Sequence, residues 1–268
     1  VVQAVSFKYR LAEGNILGRK TYDIFLFLNG ILAPVLLGGA VSTFFFGSDF
    51  TVEKTNLTDA SAPVISQWGD WHGLEALLDW RVVIFGIMVL FLTRVLANQW
   101  FLNQVKDKQT DEWNRKQLMI NAPVFVILFL AVVATLLMAS GYETTGLHEF
   151  QQVDYKYLNN FLAMPVALVC FLVGTLLVLY AIFAALAKKS RSGIWFAGIG
   201  TVLVVLSLFW VAGYNNTPNY PSYANIETSL TKYNSSSSEF TLKTRSIVSL
   251  AIPFVLAYIS WVWYKLTK

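Results

Sequence analysis

Residues 68–103 read WGDWHGLEALLDWRVVIFGIMVLFLTRVLANQWFLN. The stretch opens as a loop rich in tryptophan and acid, then passes near Val82 into an apolar run that lasts to Leu102. An α-helix needs about 20 consecutive apolar residues to cross the hydrocarbon layer of a bilayer. A spanning β-strand would alternate apolar and polar residues with a period of two. This run does not alternate, so it reads as a transmembrane helix.

Working outward, five more runs have the same character. The six expected spans cover about 22–46, 82–102, 118–140, 158–187, 194–214 and 247–266. Composition agrees: 56% of the 268 residues are hydrophobic and 13% are charged, where a soluble domain carries about 25% charged residues. The expected fold is an all-α integral membrane protein, a bundle of six transmembrane helices forming one polytopic domain over 1–268.

Basic residues give the expected orientation. Lys8, Arg10, Arg19, Lys20, Lys106, Lys108, Arg115, Lys116, Lys188, Lys189, Arg191, Lys265 and Lys268 fall on one side of the alternation, thirteen of the 20 Lys and Arg. The opposite connections hold Lys54, Arg81, Lys156, Lys232, Lys243 and Arg245, with most of the acids. Positive residues mark the cytoplasmic side, which places 1–21, 103–117, 188–193 and the C-terminus there. A net charge of +4 spread in this way is explained by topology and does not point to nucleic acid. The one cysteine, Cys170, lies in an apolar run and reads as a buried thiol. The sequon at Asn56 reads as accidental. The chain opens Val1-Val2 without a methionine, and VVQAVSFKYR reads as the tail of a helix, so the N-terminal part of the natural protein is expected to be missing.

The polar residues near the spans are the candidate sites. His72, Glu75 and Asp79 stand at i, i+3 and i+7, which on an α-helix share one face. The spacing predicts a short amphipathic helix at the membrane surface. It serves either as a proton-handling or metal-binding cluster, or as a solvated polar face anchored by Trp68, Trp71 and Trp80. Arg94 lies 13 residues after Arg81, about 20 Å along a helix. An arginine at that depth costs at least about 2.5 kcal/mol, so it either snorkels toward the inner edge past Asn98 and Phe101 or, the favoured reading, faces protein and has a partner. Asn98, one turn on, extends the same stripe. Asn29, Asn121, Asn159 and Asn160 read as hydrogen bonds between helices. Pro34, Pro123, Pro165 and Pro253 read as kinks or helix starts. Gly30, Gly38 and Gly39 read as points of close helix approach. Neither histidine, His72 or His148, falls in a span, and the four methionines are scattered. A haem held across the bundle by axial ligands is therefore not expected within this chain, nor is any other cofactor or metal.

Four stretches carry a resemblance: GRKTYDIFLFLNGILAPVLLGGAVSTFFFG (18–47), WHGLEALLDWRVVIFGIMVLFLTRVLANQWFLN (71–103), YNNTPNYPSYANIETSLTKYNSSSSEFTLKT (214–244) and WVWYK (261–265). With them the chain resembles subunit II of the cytochrome bd-type quinol oxidases. The resemblance implies a prokaryotic cytoplasmic-membrane complex that oxidises quinol and reduces dioxygen to water with protons drawn from the cytoplasm. It implies that haems b and d sit in the partner subunit I. Subunit II is then haem-free, supports the assembly and lines proton or oxygen routes. It leaves open a bound quinone or lipid and a small accessory subunit. The family's subunit II starts with further helices, so this chain reads as six of nine spans and is expected to be inactive alone. The competing reading from the residues is a secondary transporter or proton channel, which would line a path with polar residues near midspan.

Overall fold

The structure is a computed structural model, and it describes residues 2–15, 17–53, 66–145 and 149–266. Lys54, the sequon at Asn56, His148 and Lys268 fall outside these. The chain forms two compact units, Val1–Thr231 and Lys232–Lys268.

In the first unit, α1 (Val2–Tyr9) precedes the long α2 (Arg19–Phe46). Strands β1 (Phe50–Val52) and β2 (Ser66–Trp68) pair antiparallel, with Phe50 opposite Trp68. A 3₁₀ turn over Leu74–Leu78 leads into α3 (Trp80–Gln104), followed by α4 (Lys108–Met138). The β3–β4 ribbon (Gly141–Thr144, Phe150–Val153) then leads to α5 (Lys156–Ala163), α6 (Pro165–Leu186) and α7 (Gly193–Ala212). Helices α2, α3, α4, α6 and α7 are each long and apolar enough to cross a membrane. In the second unit, α8 (Lys232–Ser235) precedes α9 (Glu239–Ser249) and α10 (Ile252–Leu266), and the segment Glu239–Leu266 is the sixth such span. The protein is an all-α integral membrane protein.

Helix bounds depart from the apolar runs where backbone chemistry intervenes. Helix α4 starts ahead of its apolar run because Asp107 caps it, accepting the Thr110 N–H at 2.9 Å. Its first turns are polar and still helical. The expected fourth span is broken instead: Met164 leaves helical geometry and Pro165 restarts the chain as α6. A proline forces the residue before it out of the α region and suits the first position of a helix. Between α9 and α10 the chain is also interrupted, and Pro253 is the second residue of α10. There the Leu250 and Ala251 N–H groups fall back on the carbonyls of Ile247 and Val248, the tighter pairing of a frayed helix end.

Packing within the first unit is uneven. Helices α6 and α7 touch backbone to backbone: a Cβ on Gly174 would lie 2.7 Å from the Gly200 carbonyl oxygen, and one on Gly200 would lie 2.6 Å from that of Gly174. Helices α2 and α3 meet in the same way, a Cβ on Gly38 falling 2.8 Å from Gly86 Cα. Gly30 meets nothing within 4 Å, so the close approach expected there does not occur. Between the α2–α3–α4 group and the α6–α7 pair contact is sparser. A cavity of about 480 Å³ lies there, lined by apolar side chains such as Val41, Phe85, Val89, Phe129, Val178 and Val205.

The glycine contact is directly testable. Overpacking a tight interface costs about 1–3 kcal/mol, so Gly200→Val is expected to lower the thermal midpoint of the purified protein in detergent. Gly198→Val, where nothing lies within 4 Å, should leave it unchanged.

Candidate functional site

Polar chemistry gathers at the two ends of the first unit. At the end bearing the strands, a cavity of about 710 Å³ is lined by Asp49, Glu75, Asp79, Arg81, Tyr157, Ser222 and Tyr223, among others. The expected amphipathic helix is not there. His72 and Gly73 both take positive φ, 54° and 92°, which turns the chain sharply, and only Leu74–Leu78 coil, as a 3₁₀ turn. His72 is exposed and does not line the cavity, while Glu75 and Asp79 do.

Both carboxylates are tied to backbone. Glu75 accepts the N–H groups of Trp71 and Gly73, the latter at 2.8 Å. Partial burial raises its pKa, but these bonds and the charge of His72 outweigh that and hold it below its ordinary value. Asp79 caps α3, accepting the Arg81 N–H at 2.8 Å, and pairs with the Arg81 guanidinium at 2.6 Å. That guanidinium lies 4.5 Å over the Phe46 ring. Burial raises the Asp79 pKa, and the Arg81 bonds and charge more than reverse it. Across the cavity, burial and then the charges of Asp49, Glu75 and Asp79 raise the Tyr223 phenol. The carboxylate of Asp49 leans on Gly69 beside Glu75: a Cβ there would lie 2.5 Å from Asp49 Oδ2 and 2.8 Å from Glu75 Oε1. The cavity is thus lined by Glu75, tied to backbone N–H groups, by Asp79, paired with Arg81, and by Asp49 and the Tyr223 phenol.

Beneath it sits a polar knot that residue spacing does not reveal. Lys156, 1% exposed, bonds Glu143 at 2.6 Å and the Asn215 carbonyl at 2.9 Å. The Tyr157 hydroxyl donates to the Phe45 carbonyl at 2.7 Å. Asn160 donates to the carbonyls of Val211 and Tyr214 and to Thr217 Oγ1, the expected tie between elements. Asn121 bonds within its own helix, to the Gln117 carbonyl.

Of the two expectations for Arg94, the exposed side chain fits the snorkelling one. It is exposed, and it donates to Gln117 Oε1 at 3.5 Å. The reason is the register of α3 against α4: Arg94 stands level with α4's first, polar turns, so it reaches a polar neighbour without burial. Asn98 is buried, one turn along α3, and Gln99 beside it is 1% exposed. Arg94 and Asn98 lie 15 and 19 residues beyond Asp79, about 20–30 Å along the helix, so the structure does not join them to Glu75 and Asp79. At this basic end Arg191 pairs with Asp111 and donates to the carbonyls of Leu102 and Val105 at 3.3 and 3.1 Å. Arg115 does the same for α6, donating to the carbonyls of Ala185 and Lys189.

Comparison with known families settles what kind of membrane protein this is. The family model for cytochrome bd terminal oxidase subunit II matches residues 1–266. The chain belongs to that family. No curated protein matched it in sequence. As a bd oxidase subunit II it is a component of a quinol oxidase complex together with a subunit I. That complex contains haem, and the side chains described here do not fit one. His72 sits on an exposed turn, Met88 and Met164 are packed among apolar side chains, and Met119 and Met138 are exposed. Nor do three or more His, Cys, Asp or Glu side chains gather as a metal site among the described residues.

The fixed anions carry a pH dependence. A carboxyl whose pKa is lowered by folding stabilises the folded state above its unfolded value, about 3.9 for Asp, and loses that contribution as pH falls through the lower folded value. Thermal unfolding followed from pH 7 down to pH 3 should show an acid loss of stability that is smaller in Asp79→Asn than in the parent. An equal loss in both would remove Asp79 from the set.

Proposed function

We propose that this chain is the haem-free subunit of the oxidase, that haems b and d reside in subunit I, and that its role is to support that subunit and to give apolar gas access to it. The observation that carries the reading is the 480 Å³ cavity between the two helix groups, whose lining is almost wholly hydrocarbon. Such a space takes dioxygen, or a lipid chain or quinone tail, and repels ions and quinol head groups. In this reading the complex lies in the prokaryotic cytoplasmic membrane. The basic loops and the C-terminus face the cytoplasm, the anion-lined cavity faces outward, and the chain alone has no oxidase activity. A small accessory subunit fits the reading without being required by it. His72, Glu75, Asp79, Arg94 and Asn98 serve structure: caps, a surface turn and polar contacts between α3 and α4. The transporter or channel reading finds only amides and an exposed arginine near its path.

Two measurements test this on the complete two-subunit complex. Purification through this chain should bring down protein with haem absorbance; a colourless preparation would favour the transporter. Val89→Phe and Val205→Phe, which fill the cavity from opposite walls, should raise the KM for oxygen several-fold at unchanged haem content. An unchanged KM in both would remove the gas-access role while leaving the support role in place.

A further inference from the structure

Gln99 is 1% exposed and lies well inside α3, and neither its amide oxygen nor its amide nitrogen has a hydrogen-bond partner. Buried polar groups are nearly always satisfied by protein or by ordered water. The side chain is aimed at the start of α7: a Cβ on Gly193 would lie 3.0 Å from Gln99 Oε1 and 3.1 Å from the Ala181 carbonyl oxygen. No side chain caps that helix, and the first N–H groups of any helix lack an intrahelical acceptor. One small volume therefore collects an amide oxygen, an amide nitrogen, a main-chain carbonyl and the donor end of a 20-residue helix.

The mixture decides the ligand. A cation would want oxygen atoms only, and an anion would want donors only. A water molecule donates twice and accepts twice, and bound waters in proteins make about three such bonds. Whichever way the Gln99 amide is turned, it offers both kinds of group. We propose that Gln99, the Ala181 carbonyl and the first turn of α7 bind a structural water molecule at the basic end of the unit. Gly193 is a glycine because a methyl group would occupy the water's side of the helix start. Asp111 Oδ1 and Asn114 Oδ1 are also buried without partners, on the α4 face towards Arg191, and Asp111 is 17% exposed. The proposal concerns this chain's own side chains and does not depend on the gas-access reading.

The test is a density map of the complete oxidase at a resolution that resolves water. Density is expected within hydrogen-bond distance of the Gln99 amide and the α7 start, and it should vanish in Gln99→Leu. Gly193→Ala, a milder change that keeps the amide, should also lose it, and this variant decides the matter if Gln99→Leu fails to assemble. A dry site in the parent, with the amide paired to protein atoms, overturns the proposal. So does density that persists in both variants.

Discussion

A backbone placed in hydrocarbon has no water to bond with, and this constraint organises the whole molecule. Within each span the helix meets it internally. The cost falls on the helix ends, where up to four N–H or four C=O groups are left over. The side chains that at first suggest chemistry are mostly spent there. Asp79 and Asp107 cap the starts of α3 and α4, Glu75 closes the turn before α3, and Arg191 and Arg115 cover the last carbonyls of α3 and α6. The same demand explains Lys156, a buried cation accepted because Glu143 and a loop carbonyl both meet it.

On the proposed reading, with the haems in subunit I, this chain needs shape more than reactivity. The polar groups hold ends and loops in place, and the glycine contacts join helices in groups. What remains between the groups is an apolar space that suits a gas or a hydrocarbon chain.

The spans were legible because hydrophobic runs of that length have one stable answer in a bilayer. Their ends were less so. The first turns of α4, from Lys108 to Gln117, are helical yet too polar to register in a hydropathy argument, and the neighbour they give Arg94, Gln117, was hidden with them. The His72–Glu75–Asp79 spacing promised a shared face only if the chain stayed α-helical, and the positive φ at His72 and Gly73 ended that. Asn160 could be anticipated, since a buried amide in a membrane protein seeks another element. The pairing of Asp111 with Arg191 could not: 80 residues separate them, and nothing local announces the partner.

Those two arginines have one more implication. Helices α6 and α7 meet closely at Gly174 and Gly200. Arg191, in the turn between them, grips the end of α3, while Arg115, from α4, grips the end of α6. Each guanidinium belongs to one hairpin and finds its acceptors on the other. Such a reciprocal clasp cannot exist while either hairpin is alone in the bilayer. During biogenesis it closes late, after both hairpins have been inserted and have slid together, and it then opposes their separation.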